Sequence, residues 1–140
     1  MASVLLIADA SKVIREALGR LLGSIGDVGT VIYASSLDQA FEQTATHKPN
    51  ILVMDPRFAA GNAIASMGHL KQLAPQMQLV VITNDANAVS REYFLAAGAD
   101  LYFDKAIELD LLVDAVRSRA NPKHSNGSVT TDAPQGNTYE

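Results

Sequence analysis

The chain has 140 residues, enough for one domain around one core. Hydrophobic residues make up 48% and charged residues 19%, and a net charge of −4 without a long basic run leaves no electrostatic footprint for nucleic acid. The absence of cysteine excludes disulfides and thiolate metal sites and leans toward a cytoplasmic location, while the apolar run that Asp9 ends is too short for a signal-peptide core or a membrane span.

In chain order, Val4–Ala8 is a continuous apolar run, expected to be a strand covered on both faces. Ser11 is placed to cap a first helix, on which Val13, Ala17, Leu18, Leu21 and Leu22 recur at helical spacing. Val28–Ala34 is the second strand. Ser36 caps a second helix through Leu37, Ala40, Phe41 and Ala45, and Pro49 prevents continuation past His47. Ile51–Met54 is the third strand, followed by a third helix over Ala63–Leu73 closed by Pro75. Leu79–Thr83 is the fourth strand. The fourth helix covers Ala88–Ala97 and stops at Gly98, a natural residue just past a helix end. Leu101–Phe103 is the fifth strand, and a fifth helix spans Leu109–Arg117 with basic residues in its last turn.

The alternation is (βα)5. Right-handed crossovers make it a doubly wound α/β domain, a parallel sheet with helices on both faces. The expected domain is 1–119. The remainder, 120–140, is a polar tail too poor in large apolar residues to order itself and too short for an output domain.

Ligands of such sheets bind at the carboxyl ends of the strands. Asp9, Asp55, Thr83 and Lys105 stand at four of those ends. Two carboxylates suit Mg²⁺, a carboxylate can attack a phosphoryl group, and a hydroxyl and an ammonium can hold phosphoryl oxygens. Taken singly, each has a bland role as cap, strand residue or solvated cation. Their joint placement gives the group its meaning. His47, His69 and His124 have no spacing that suggests a metal site.

These segments resemble the response-regulator receiver family, of which CheY-like proteins are members. LLIADASKVIR is similar to its first strand and helix, ILVMDP to its phospho-acceptor strand, VVITND to the strand ending in a signalling threonine, and GADLYFDKA to the strand bearing its lysine. The likeness runs from about Val4 to Arg117. It implies a flavodoxin-like sheet of order 2-1-3-4-5. It also implies phosphorylation of Asp55 by a histidine kinase or phosphotransfer protein, and Mg²⁺ held by Asp9, Asp55 and the backbone carbonyl of Arg57. Thr83 and Lys105 would hold the phosphoryl group, and Tyr102 would be an aromatic switch that turns inward when the threonine moves. Signalling would pass to a downstream target protein, or to a second copy of the chain, through the face made by the fourth helix, fifth strand and fifth helix. The resulting expectation is a stand-alone receiver, not an enzyme, without nucleic-acid or membrane contacts.

Three departures from the family pattern stand out. Its adjacent acid pair is Asp9-Ala10 here, or Ala8-Asp9 in an alternative register, so one carboxylate is missing; placing Ser11, Ile14 and Arg15 on family positions favours the first. The proline that usually follows the lysine is Ala106. Pro56, which lacks an N–H, follows the acceptor, and Asn84 follows the threonine in place of a small residue. Arg57 and Asp85, each two residues past a site residue, are expected to form an ion pair across the mouth and, with Asn84, to limit access. The alternative reading is a degenerate receiver that is never phosphorylated and acts as an interaction module. A cofactor-binding flavodoxin-like protein is disfavoured because Asp9-Ala10-Ser11-Lys12 lacks a phosphate-cradling glycine.

Overall fold

The structure is a computed structural model that describes residues 2–59 and 61–121. Beyond its first two residues, the tail expected at 120–140 lies outside the described residues, as does His124. The elements are β1 Ser3–Ala8, α1 Lys12–Gly23, β2 Val28–Ala34, α2 Leu37–His47, β3 Ile51–Met54, a 3-10 turn Pro56–Ala59, α3 Ala63–Leu73, β4 Gln78–Thr83, α4 Ala88–Ala96, β5 Leu101–Asp104 and α5 Leu109–Ala120. No helix among the described residues is long and apolar enough to cross a membrane.

All strand pairings are parallel, in the order β2-β1-β3-β4-β5. The continuous apolar runs have a simple cause. Successive side chains of a strand point to opposite faces, and here both faces are covered. Leu6, Ala8, Leu52, Met54, Leu79 and Val81 join one core with residues of α2 and α3. Leu5, Ile7, Ile51, Val53, Val80 and Ile82 join the other with Leu18 and Leu22 of α1 and Leu112, Val116 and Ala120 of α5. Truncating one of the fully buried leucines to alanine removes about 2–5 kcal/mol.

The helix starts follow capping chemistry. The side chains of Ser11, Ser36 and Asn87 accept hydrogen bonds from the backbone N–H groups of Ile14, Gln39 and Ser90. Helix α2 ends on Lys48, in the left-handed region at φ 45°, since the residue before a proline is driven out of the α conformation. Gly98, at φ 119°, terminates α4 where an L side chain would be strained.

Two details differ from expectation. The stripe that α1 buries is Leu18 and Leu22 with half-buried Ile14, while Val13, Ala17 and Leu21 face solvent. Helix α5 continues past Arg117 to Ala120, because Ala120 extends the buried i, i+4 stripe of Leu112 and Val116.

Candidate functional site

Strand β3 lies at the centre of the sheet, flanked by β1 and β4. The residues just past β1 and β3 therefore meet at one edge. The backbone N–H of Asp55 donates to the Ala8 carbonyl, 3.0 Å away, and locks the two strand ends together. Asp9 and Asp55 are both buried, the latter to 1% exposure. Lys105 arrives from the far end of β5, anchored by its N–H to the Thr83 carbonyl. Its ammonium bridges the two acids, with Nζ 2.6 Å from Asp55 Oδ2 and 3.0 Å from Asp9 Oδ2. The Lys105–Ala106 peptide is trans, and Nζ reaches both carboxylates in that geometry.

The remaining oxygens are also engaged. Asp9 Oδ1 accepts from the Ser11 N–H, and the Asp9 carbonyl accepts from Arg15. Asp55 Oδ1 accepts from the backbone N–H and the Nε of Arg57, and Oδ2 accepts from Arg57 Nη2 at 2.9 Å. The ion pair expected between Arg57 and Asp85 is therefore not the one formed. The 3-10 turn after Asp55 folds Arg57 back over it. A buried carboxylate at bonding distance attracts the guanidinium more strongly than the exposed Asp85. Asp85 still adds to the positive character of Arg57 through longer-range attraction. Burial alone pushes the Asp55 pKa up, but hydrogen bonds from Arg57 and Lys105 outweigh it and hold the carboxyl below its ordinary range.

Thr83 is buried at the end of β4, and its Oγ1 accepts from the Asp85 N–H within its own loop. Asn84 is exposed on that loop, away from the shallow cleft lined by Asp9, Ala10, Ser11, Asp55, Arg57 and Phe58. Tyr102 points inward at 1% exposure, its ring stacked on Phe94 and its hydroxyl 2.7 Å from Ser90 Oγ. Arg91 lies over the Tyr102 ring and donates to its carbonyl, while Glu108 accepts from Arg91 and from the Asp104 N–H. Nothing in the sequence had marked Ser90, Arg91 or Glu108, since their roles exist only once α4 packs beside β5.

The family model for the response regulator receiver domain matches residues 5–117. The chain belongs to the response regulator receiver family. Such receiver domains are signalling modules of two-component systems. Among curated relatives, the transcriptional regulatory protein LnrK of Bacillus subtilis is 26% identical over 125 residues, covering 89% of this chain and 55% of the relative. The DNA-binding transcriptional activator DevR/DosR of Mycobacterium tuberculosis is 28% identical over 111 residues, covering 79% and 51%. The chain thus spans about half the length of these relatives. Among solved structures, a CheY-like receiver domain from Methanospirillum hungatei superposes with a TM-score of 0.75 at 19% identity, over 91% of this chain and 100% of that one. A Burkholderia pseudomallei response regulator, solved with a phosphorylated aspartic acid, a calcium ion and citrate, gives 0.73 at 21% identity, over 90% and 73%. At these identities the structural likeness shows the shared fold.

This receiver's donor set is a poor match for the divalent cation that the resemblance implies. An ionised carboxylate offers about four acceptor positions, and those of Asp55 already take four donors from Arg57 and Lys105. Ala10 supplies no ligand, and among the described residues no three His, Asp or Glu side chains are grouped to hold a metal. As arranged, the residues present do not fit Mg²⁺, which demands near-octahedral oxygen coordination.

Proposed function

We propose that residues 1–119 form a cytoplasmic receiver that accepts a phosphoryl group on Asp55 and signals through a partner protein rather than through nucleic acid. The observation that carries this reading is the Asp55 carboxylate at the end of the central strand, among the residues that line a cleft, with the Lys105 ammonium 2.6 Å away.

In the transfer, an Asp55 oxygen attacks the phosphorus of a phosphohistidine or small phosphodonor. The new O–P bond forms as the donor's bond to phosphorus breaks, and that electron pair leaves with the donor. The ammonium of Lys105 meets the negative charge that arrives with the phosphoryl oxygens. The Thr83 hydroxyl, released from its loop, donates to one of them. That movement is passed to Tyr102 and the surface of α4, β5 and α5, biasing a two-state equilibrium. The surface exposes Val89, Tyr93, Ile107 and Leu111, which suits a downstream protein or a second copy of the chain.

On the other side of the cleft, Val13, Ala17 and Leu21 form an exposed apolar stripe at i, i+4, i+8 on α1. It is a docking surface for a helix of the histidine kinase or phosphotransfer protein. The full set of engaged Asp55 oxygens favours a second reading, an interaction module that is never phosphorylated. Incubation with acetyl phosphate followed by intact mass separates the two. A single phosphoryl adduct on the native chain, lost in Asp55→Asn, supports the acceptor; an unmodified native chain supports the module.

A further inference from the structure

Two carboxylates stand at the centre of this site, and two cations from the same chain face them. Lys105 bridges Asp9 and Asp55, and Arg57 grips Asp55 through Nε at 3.2 Å and Nη2 at 2.9 Å. The two negative charges are thereby matched by two positive ones without an external ion. A planar guanidinium presents parallel N–H groups that fit both oxygens of a carboxylate, a geometry that an ammonium cannot reproduce.

The local chain makes this grip almost inevitable. Pro56 fixes its own φ at the start of the 3-10 turn, and the Phe58 N–H closes that turn onto the Asp55 carbonyl. The Arg57 N–H then lands 3.0 Å from Asp55 Oδ1, so its side chain starts over the acid and needs only to fold down. The two ends of the pair differ in exposure. The Asp55 side chain is 2% exposed and that of Arg57 60% exposed. The arginine is therefore a lid on a buried acid, one that can swing into solvent without unpacking the core.

We propose that Arg57 is the resident counter-cation of this receiver, occupying the Asp55 oxygens to which a divalent metal would bind and competing with it for them. Ala10 and Arg57 then belong together. One removes a negative charge from the mouth of the site and the other adds a positive one, and both changes lower the site's demand for a metal. Competition for shared ligands is a coupling between two binding events, and couplings of this kind amount to roughly 5–150-fold in affinity.

The test is calorimetric titration of Mn²⁺ into the native chain and into the Arg57→Ala, Arg57→Gln and Arg57→Ala/Asp55→Asn variants. Circular dichroism serves as the check that each is folded. Mn²⁺ should bind Arg57→Ala and Arg57→Gln roughly 5–150-fold more tightly than the native chain, and the added Asp55→Asn change should abolish the gain. Equal affinity in native and Arg57→Ala protein overturns the proposal, as does a failure of both single variants to bind Mn²⁺ or a gain that survives loss of Asp55. The inference concerns the same carboxylate read above as the phosphoryl acceptor. The titration contains no phosphodonor, so its outcome and that of the acetyl phosphate experiment fail independently.

Discussion

The Tyr102 hydroxyl lies 2.7 Å from Ser90 Oγ, tying the one fully buried aromatic of β5 to the first turn of α4. Two further contacts hold the same ring, the stack on Phe94 and the Arg91 guanidinium 5.1 Å from its centre. The in-turned position is therefore secured by α4 at three points. Removing one hydroxyl leaves the other to find a new partner. Tyr102→Phe should cost about 0.5–1.5 kcal/mol, and Ser90→Ala about 1–3 kcal/mol because it strands the buried phenol. The double variant should cost less than the two single costs added together. Urea denaturation of the four chains checks this, and strict additivity would show that the contact contributes nothing.

Lys105 is the cation on which both buried acids depend, with its side chain 8% exposed. Lys105→Met leaves Asp9 and Asp55 close together without a shared counter-charge. The expected loss is about 3–5 kcal/mol at neutral pH, the usual cost of breaking one half of a buried pair. Adding Asp9→Asn to that variant should restore part of the loss, since Arg57 still pairs with Asp55 and Asp9 is the acid left without a cation. Thermal denaturation of the single and double variants decides the matter.

Acid should weaken the fold through Asp55. Burial raises its pKa, but the hydrogen bonds from Arg57 and Lys105 prevail and lower it from the ordinary 3.8. A depressed folded-state pKa means that the unfolded chain takes up its proton first. The stabilisation is therefore complete above pH 3.8 and is lost as pH falls through the lower folded value. Arg57 stays charged across that window, since Asp55 beside it raises its pKa. The stability advantage of the native chain over Asp55→Asn should shrink as pH falls below that value, at up to about 1.4 kcal/mol per pH unit. Urea midpoints measured from neutral to acid pH provide the check; a gap that stays constant contradicts it.

The exposed stripe on α1 separates docking from folding. Val13 is 74% exposed and makes no part of either core. Val13→Glu should leave the thermal midpoint within a degree or two, as surface changes alter stability by about 0.5 kcal/mol or less. Phosphoryl transfer from a phosphohistidine protein should slow while modification by acetyl phosphate proceeds at the native rate. Equal slowing with both donors would place Val13 in the site's own architecture instead.

The strands were legible because a buried parallel sheet demands uninterrupted apolar runs, and Ile51–Met54 is one from end to end. The strand-end residues were legible for a related reason, since the fold brings every carboxyl end to one edge. What the residues alone left open was direction within a few ångströms. On α1, Val13-Ala17-Leu21 and Ile14-Leu18-Leu22 are neighbouring stripes of similar hydrophobicity, and only packing against β1 and α5 selects the second. Arg57 had acids on either side of the cleft to choose from. The 3-10 turn decided between them, and although Pro56 favours a turn there, it does not say which acid Arg57 will meet. The Ser90–Tyr102 and Arg91–Glu108 contacts join segments 12 and 17 residues apart, and they appear only when α4 settles against β5.

The most direct test of Asp55 as the phosphoryl acceptor is to locate the modified residue chemically. After exposure to acetyl phosphate, an acyl phosphate on aspartate is reduced by borohydride to homoserine, which marks the position in peptide mass spectra. The account predicts homoserine at position 55 alone, and none in chains that were never exposed to the donor. Label at Asp9 or another carboxylate, or an unreduced Asp55 in every peptide, would contradict it.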